Sequence, residues 1–244
     1  MPKKEGIRAL FDSIALGYDR FNHLSSFGAD KGWRRKVVRQ IVNTNQPICV
    51  LDVATGTADL AIAVAKKAAV GSHVTGVDLS VNMLEVGRAK AEGLPVMLLQ
   101  GDAEALPFDD AMFDRVSVAF GVRNFENLAQ GLREMCRVLK PGGRLVVLEL
   151  SYPDSRFLFW CYKLYAFKIL PAIGTRLTGN RSAYTYLPDS ILKFPKPPVF
   201  LPMLHDAGFA KVRARSLTFG VCRMYVAEKQ LCPTKDITSP RNEG

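Results

Sequence analysis

Short apolar runs alternate with longer amphipathic segments through the middle of the chain. The runs are of the kind expected for strands buried on both faces of a sheet, and they lie at residues 48–53, 73–77, 96–100, 114–119 and 144–150. Helices are predicted between them at 59–68, 81–92 and 128–139, and the last of these ends at a Lys-Pro-Gly-Gly stop signal. This alternation predicts right-handed βαβ units, hence a parallel sheet with helices on both faces.

The two ends of the chain follow other patterns. Residues 1–45 predict a helical N-terminal lead-in, including a basic helix at 32–42, and residues 151–200 are aromatic, basic and proline-containing, which predicts a helical cap. A short helix at 201–207 precedes two alternating segments, 212–219 and 221–227, which predict an antiparallel edge pair. We therefore expect one α/β domain with a mostly parallel seven-stranded sheet over residues 46–230, and a disordered tail over 231–244.

Composition narrows the class of protein only a little. The chain has 33 Lys and Arg residues against 23 Asp and Glu residues, a net charge of +10. This charge favours an anionic partner such as nucleic acid, an acidic membrane surface or an acidic metabolite. In the alternative interpretation, the charge only keeps the protein soluble. The five cysteines form no Cys-x-x-Cys pair and the three histidines are far apart, so we expect a reducing compartment and no metal site.

Targeting signals are not apparent in the sequence. The N-terminal segment lacks the apolar core of a secretory signal, and no apolar run reaches the roughly 18 residues that a membrane-spanning helix needs. We expect a cytoplasmic protein, with a peripheral position at the inner face of the membrane left open.

Acidic residues follow the first three predicted strands. Asp52 ends the first strand and is followed by Gly56, while Asp78 and Asp102 come just after the second and third strands. In an open parallel sheet, ligands bind beyond the carboxyl ends of the strands. Asp78 suits a pair of ribose hydroxyls, and Asp102 can meet an adenine amino group. The pattern predicts a site for an adenosine-bearing ligand.

The turn after the first strand indicates which ligand. A dinucleotide site needs Gly-x-Gly-x-x-Gly and a helix N-terminus free for pyrophosphate, whereas this turn has a single glycine bracketed by Asp52 and Asp59. Negative charge repels pyrophosphate but suits the ammonium and sulfonium groups of S-adenosylmethionine. The single glycine alone would also fit an ordinary tight turn, so the prediction depends on the joint pattern of glycine and aspartates.

Several segments also resemble a known family. Residues 51–57, 76–84, 101–108 and 137–143 are similar to the ordered motifs of class I methyltransferases, which implies a Rossmann-like fold. Residues 120–124, Phe-Gly-Val-Arg-Asn, resemble more specifically the ubiquinone/menaquinone biosynthesis C-methyltransferase family. So do segments within 11–19, 165–174, 184–191 and 207–209, so that the resemblance runs from about residue 8 to 229.

The resemblance implies a set of cofactor contacts. Asp52 would receive the methionine ammonium of S-adenosylmethionine and Ala103 would offer its backbone amide to the adenine; the full expected set is Asp52, Gly56, Thr57, Asp78, Asp102, Ala103 and Ala119.

Two positions depart from the family pattern. Ala58 stands where glycine is usual, which costs on the order of 1 kcal/mol if the position needs positive φ. Ala119 replaces the serine of some relatives and leaves only a backbone contact.

The implied reaction is methylation of a ring carbon on a prenylated quinol. Such a carbon becomes nucleophilic when the adjacent hydroxyl loses its proton, so positive charge near the developing phenolate would help. We expect Arg123 to provide that charge and Asn124 to orient the ring oxygen, with Tyr184 and Tyr186 in the substrate pocket. In the alternative interpretation, Arg123 pairs with a structural carboxylate such as Glu126 and the tyrosines pack in the cap.

Other expectations concern partners. The aromatic stretch 157–174, with Lys163 and Lys168, predicts a tunnel for the isoprenoid tail or loose association with the membrane surface. We expect no nucleic-acid partner and leave a homodimer open. Rival interpretations are a class I methyltransferase of another lipid or small molecule, and a non-catalytic cofactor-binding assembly protein.

Overall fold

A computed structural model describes residues 4–178 and 181–231, and the side chains at 174, 177, 178 and 181–185 are outside that description. Its elements, in chain order, are α1 (Lys4–Ile14), α2 (Tyr18–Ser25), α3 (Ala29–Ile41), β1 (Cys49–Val53), α4 (Asp59–Ala65), β2 (His73–Asp78), α5 (Val81–Ala91), β3 (Val96–Gln100), β4 (Phe113–Ala119), α6 (Leu128–Val138), β5 (Leu139–Leu150), α7 (Arg156–Leu164), a π-helical segment (Tyr165–Ile169), α8 (Leu170–Thr178), α9 (Arg181–Lys193), α10 (Pro197–Asp206), β6 (Phe209–Leu217) and β7 (Cys222–Lys229).

The seven strands form one sheet in the order β3-β2-β1-β4-β5-β7-β6. β1 to β5 pair in parallel, and β7 runs antiparallel to both β5 and β6. The prediction of a mostly parallel seven-stranded sheet with an antiparallel pair at one edge is confirmed. The strand order reverses direction between β1 and β4, and at such a point the loops after neighbouring strands diverge and leave a crevice.

Apolar side chains on both faces of the sheet explain why its central strands are buried. On one face Leu51, Val116 and Leu145 pack with α6 and α10, and on the other Val50 and Leu148 pack with α3, α4 and α5. Side chains cap two of these helices. Ser80 Oγ accepts the amide of Met83 at the start of α5, and Asn127 Oδ1 accepts that of Gln130 in α6.

The structure corrects one predicted boundary. The predicted helix ends at Val138, just before the Lys-Pro-Gly-Gly signal, but the next strand begins at Leu139 and not at 144, so β5 runs through residues 140–143. Leu139 pairs with Phe113, and the ladder shifts register before it resumes between Arg115 and Arg144. Gly142 takes φ +73°, so the glycine permits an irregularity within the strand rather than ending the element.

The helical lead-in and the cap are not separate layers. α2 packs against α8, α1 packs against α5 and α9, and α9 also reaches the turn at Val122–Asn124. Together these helices cover the carboxyl ends of the strands. No helix within the described residues is long and apolar enough to span a membrane, and no potential metal-binding cluster occurs among them. The predicted disorder of 231–244 falls almost wholly outside the described residues.

Candidate functional site

A polar cavity lies where β1, β2, β3 and β4 end. Residues that follow these strands line one side of it, and α1 lines the other; those from the strand ends include Gly56, Asp78, Gly101, Asp102, Ala103 and Ala119. Its volume is ≈ 70 Å³ in the observed arrangement. Of the three carboxylates that the sequence places at the strand ends, Asp78 and Asp102 line this cavity and Asp52 does not; the two meet because parallel strands bring their carboxyl ends to one edge.

Asp78 is held rigidly at the centre of this wall. Its Oδ2 accepts the backbone amide of Gly56 at 2.8 Å, and its Oδ1 accepts that of Ser80 at 2.9 Å. The hydrogen bonds from these two amides lower the pKa of Asp78, but burial has the larger effect and raises it above its ordinary value. The carboxylate thus joins the turn after β1 to the start of α5.

The turn after β1 is tightly wound. Ala54, Gly56 and Ala58 all have positive φ, at 51°, 56° and 64°. Alanine is strained in this region, so the sequence-based concern about Ala58 is justified on conformational grounds. Ala58 does not line the polar cavity, however: it is fully buried in the core between the sheet and α3.

Asp52 and Thr57 lie behind this turn and line neither the polar cavity nor the larger apolar one described below. Asp52 accepts the hydroxyls of Ser117 at 2.6 Å and Thr55 at 2.7 Å. Burial raises the pKa of Asp52 to about 6, although these two hydroxyls lower it. The Thr57 hydroxyl donates to Asp19 at 2.5 Å, which ties the turn to α2.

The negative charge that the sequence assigned to this turn is partly neutralised. Asp59 lies 2.5 Å from the Lys90 ammonium and 3.6 Å from the Arg34 guanidinium. Lys90 also lies 2.7 Å from Asp19. Asp59 therefore anchors α4 to neighbouring helices, and the acidic character of the cavity comes from Asp78 and Asp102 instead.

Asp102 faces the polar cavity and already has a cationic partner. Its Oδ2 lies 2.6 Å from the Nζ of Lys4, and its Oδ1 accepts the amide of Glu104 at 2.8 Å. Lys4 also lies 3.1 Å from Glu104, and these contacts hold the pKa of Lys4 above its ordinary value, the Asp102 contact most of all. Ala103, next to Asp102, is buried against the same cavity.

A second, apolar cavity of ≈ 390 Å³ lies between the N-terminal helices and the cap. Its walls come from α1, α2, α3, α7, α8 and α9 and are mainly aromatic and aliphatic; representative members are Leu10, Phe21, Trp33, Leu158, Tyr162 and Ile191. This size is within the range of about 300–1,000 Å³ typical of small-molecule sites. The lead-in and the cap thus build a cavity that the central sheet lacks.

Arg123 lines the apolar cavity with a side chain that is only 4% exposed. Its Nη1 lies 2.7 Å from Glu149 Oε1 and also donates to the carbonyl of Phe120, while its Nε donates to Ser190 Oγ at 3.3 Å. Arg123 therefore does pair with a buried carboxylate, as the alternative interpretation expects, but the partner is Glu149 and not Glu126. Burial lowers the pKa of Arg123, but Glu149 together with Tyr18 and Tyr186 raises it, so the pKa of Arg123 is above its ordinary value and it cannot act as a base.

Asn124 and Tyr186 form one hydrogen-bonded pair. The Tyr186 hydroxyl donates to Asn124 Oδ1 at 3.0 Å. Asn124 lines the polar cavity and Tyr186 lines the apolar one, so this pair bridges the two. Burial raises the pKa of Tyr186, which keeps its hydroxyl protonated. The side chain of Tyr184 lies outside the described part of the structure.

The two cavities share a wall. Phe11, Tyr18 and Phe120 border both of them. Phe120 has φ +61° at the end of β4, and Arg34 lies over its ring with its guanidinium carbon 5.5 Å from the centroid. A ligand in the polar cavity and another in the apolar cavity would therefore meet beside these rings.

The donor set suits a cationic nucleoside better than a phosphorylated one. The carboxylates of Asp78, Asp102 and Glu104 line the polar cavity, which gives three negative charges against the two positive charges of Lys4 and Arg8. The cations that reach it, Lys4 and Arg8, already pair with Asp102 and Asp12 respectively. A pyrophosphate would meet net negative charge here, whereas ribose hydroxyls, an adenine amino group and a sulfonium would not.

Several residues that shape the site are not among those that the sequence predicts. Glu149 was detectable as the one charged residue at the end of the apolar run 145–150. Tyr18 lies in the family-like segment 11–19, but nothing in that segment indicates that it borders both cavities. Lys4 gives no signal because its contact with Asp102 spans 98 positions of the chain. Long-range contacts of this kind have no local pattern.

Known protein sequences match nearly the whole chain. The ubiE/COQ5 methyltransferase family matches residues 1–229. The chain is 44% identical to the demethylmenaquinone methyltransferase of Deinococcus radiodurans, over 93% of this chain and 94% of that protein. It is 43% identical to the ubiquinone/menaquinone biosynthesis C-methyltransferase UbiE of Geobacter sulfurreducens, over 94% and 90% respectively.

Solved structures agree on the fold. A SAM-dependent methyltransferase of Thermotoga maritima, titled a possible histamine N-methyltransferase, matches with a TM-score of 0.64 and 18% identity, over 91% of this chain and 99% of that one. The [4+2]-cyclase SpnF matches with a TM-score of 0.68 and 17% identity, over 95% and 97%. The fold is the Rossmann-like class I methyltransferase fold; because a cyclase shares it, the fold alone does not decide the reaction.

Proposed function

The chain belongs to the ubiE/COQ5 methyltransferase family, and on that basis we propose that it transfers a methyl group from S-adenosylmethionine to a ring carbon of a prenylated quinol. The observation that carries the proposal is the pair of adjoining cavities. One is polar, acidic and placed at the strand ends, and the other is apolar and large enough for a quinone ring with part of its tail.

The polar cavity would hold the cofactor. Asp78 would accept the ribose hydroxyls and Asp102 the adenine amino group, with the backbone of Gly56, Ala103 and Ala119 alongside. Asp52 and Thr57 would act from behind the turn, Asp52 as the negative charge nearest the methionine ammonium. When bound, S-adenosylmethionine supplies a methyl group on a positively charged sulfur, which is electrophilic without a metal.

Arg123 would serve the quinol. It lines the apolar cavity one residue before Asn124, which lines the polar one, so both lie near the shared wall. Since Arg123 is paired with Glu149, the pair is close to neutral, and Arg123 would stabilise the developing phenolate as a hydrogen-bond donor more than as a net charge. Asn124 and Tyr186 would hold the ring oxygen.

The chemistry has a simple balance. The quinol hydroxyl would lose its proton, and the adjacent ring carbon would form a bond to the methyl carbon as the methyl–sulfur bond breaks and S-adenosylhomocysteine leaves. The hydrogen on that carbon would then leave as a proton while the ring oxygen regains one, so the aromatic quinol is restored and one proton is released overall. Arg123 stays protonated throughout, so the proton goes to water or another acceptor. The apolar walls exclude most other water from the reacting carbon.

The mouth of the apolar cavity suits a lipid substrate. Phe27 and Phe219 line the cavity yet are 84% and 82% exposed, and both have positive φ, a strained conformation for phenylalanine. α7 adds exposed Phe157 and Trp160 nearby in the cap. With exposed lysines at 163 and 168, this surface would rest loosely on an anionic bilayer and receive the quinol from it.

Mass analysis of quinones tests the reaction. We expect expression in cells that lack their quinone C-methyltransferase to convert the accumulated demethylated quinone into the methylated one. The wild-type protein and an Asp78→Asn variant, expressed to equal levels, would be compared; Asp78→Asn should fail because it removes the charge that accepts the ribose. If the wild-type protein binds S-adenosylmethionine but methylates no quinone, a non-catalytic role or another lipid substrate replaces this proposal.

Vesicle sedimentation tests the membrane contact. We expect the double variant Phe27→Ser/Phe219→Ser to bind vesicles of phosphatidylglycerol and phosphatidylethanolamine about tenfold less well, since two exposed rings lose their contact with lipid. Val70→Ser is the matched control, because Val70 is 98% exposed but lies just before β2, at the amino ends of the parallel strands and away from their carboxyl ends. Equal binding by all three proteins would refute this surface.

A further inference from the structure

Helix α1 forms one wall of the polar cavity, opposite the strand ends. Lys4, Ile7, Arg8 and Phe11 of α1 form part of its wall. The cavity beneath measures ≈ 70 Å³, whereas cavities that hold small-molecule ligands are typically about 300–1,000 Å³. A nucleoside ligand therefore needs more room than this arrangement leaves, and a wall of the cavity must move to hold it.

Polar contacts hold α1 at both ends. At its N-terminus Lys4 bridges Asp102 and Glu104, at 2.6 and 3.1 Å. Near its C-terminus Asp12 accepts the Ser80 hydroxyl at 2.5 Å. The side chains of Lys4 and Asp102 are 36% and 27% exposed, and ion pairs in such positions are weak and easily broken.

The apolar anchoring of α1 is also modest. Of its eleven residues, Ile7 and Ile14 are the buried ones. The same helix contributes Leu10, Phe11 and Ile14 to the wall of the apolar cavity. A movement of α1 would consequently open the polar cavity and remove one wall of the apolar cavity at the same time.

We propose that α1 is a lid and that Lys4 is its latch. The Lys4 ammonium leaves the Asp102 carboxylate to admit the cofactor, and α1 then closes over the bound cofactor and completes the wall of the apolar cavity. Asp102 thus has two alternating partners, Lys4 and the adenine of the cofactor. This inference rests on the proposed function only for the identity of the nucleoside, S-adenosylmethionine.

Stopped-flow measurement of S-adenosylmethionine binding tests the latch. We expect Lys4→Met, which keeps the aliphatic stem but removes the charge, to speed association about two- to fivefold, the effect of losing one partly exposed ion pair. Lys67→Met is the matched control, because Lys67 is exposed and has no ion pair within the described residues. Its association rate should equal that of the wild type.

Hydrogen exchange tests the closure. In the wild type, amides of residues 4–14 should exchange several-fold more slowly when S-adenosylhomocysteine is bound. Equal association rates in all three proteins, or exchange that the ligand leaves unchanged, would make α1 a fixed wall. A Lys4→Met variant that loses affinity through faster dissociation alone would make Lys4 a cofactor ligand and overturn the latch. Normal binding kinetics without quinol methylation would refute the proposed function and not the lid.

Discussion

Replacing Glu149 with glutamine removes one charge from a pair that the protein core keeps almost entirely away from water. Glu149 is fully buried and Arg123 is 4% exposed, with 2.7 Å between Oε1 and Nη1. Glu149 also accepts the backbone amides of Leu150 at 2.8 Å and Arg123 at 3.2 Å. Breaking a buried pair by removing one partner costs about 3–5 kcal/mol, because the other charge is left buried and uncompensated.

We expect Glu149→Gln to fall near the lower end of that range, at about 3 kcal/mol, since the amide oxygen can still accept one or two of these hydrogen bonds. Urea denaturation followed by circular dichroism measures the loss. The control is Glu228→Gln, whose carboxylate is 28% exposed and pairs with Arg144 and Lys211; it should cost less than about 1 kcal/mol.

The same series separates the two roles of Arg123. If the pair is structural alone, the double variant Arg123→Met/Glu149→Met should recover most of the stability and also most of the activity, because two matched apolar side chains replace the pair. We expect stability to recover but turnover to remain low. A Glu149→Gln protein that loses less than about 1 kcal/mol would refute the reasoning about burial.

Three further predictions test separate features of the fold and site, and the third includes a matched control substitution. Asp52→Asn should stabilise the free enzyme by up to about 3 kcal/mol at pH 8 and by little near pH 4. Burial raises the pKa of Asp52 to about 6, so above that pH the folded protein must keep a buried carboxylate charged, which costs free energy of folding. Urea denaturation at both pH values measures this, and an equal effect at pH 4 and pH 8 would contradict it. Ala58→Gly should change stability by less than about 0.5 kcal/mol, because relief of the strain at φ +64° is offset by loss of a buried methyl group worth about 0.8 kcal/mol. Calorimetric titration should show that its affinity for the cofactor is within about twofold of the wild type. Gly131→Ala should cost about 1–3 kcal/mol of stability, because the added Cβ would lie 2.5 Å from the Phe125 ring. Gly32→Ala is the control: its Cβ would meet nothing closer than 4.0 Å, so it should gain up to about 1 kcal/mol from helix propensity. Thermal denaturation of both variants checks this, and equal shifts in melting temperature would argue against close packing at Phe125.

The sequence by itself determined the sheet and the polar half of the site. Short apolar runs predicted the strands, and their alternation with helices predicted a parallel order, because these patterns depend on nearest neighbours along the chain. Asp78 and Asp102 could be placed at one edge for the same reason, since strand direction fixes which ends meet.

Only the tertiary structure decided the rest, because it depends on contacts between residues far apart in the chain. The partner of Arg123 is Glu149, 26 residues away, rather than the neighbouring Glu126. The apolar cavity exists because the lead-in and the cap pack against each other, and neither segment has a pattern that predicts the other. Lys4 reaches Asp102 across 98 positions, so this contact in the wall of the polar cavity follows from packing alone.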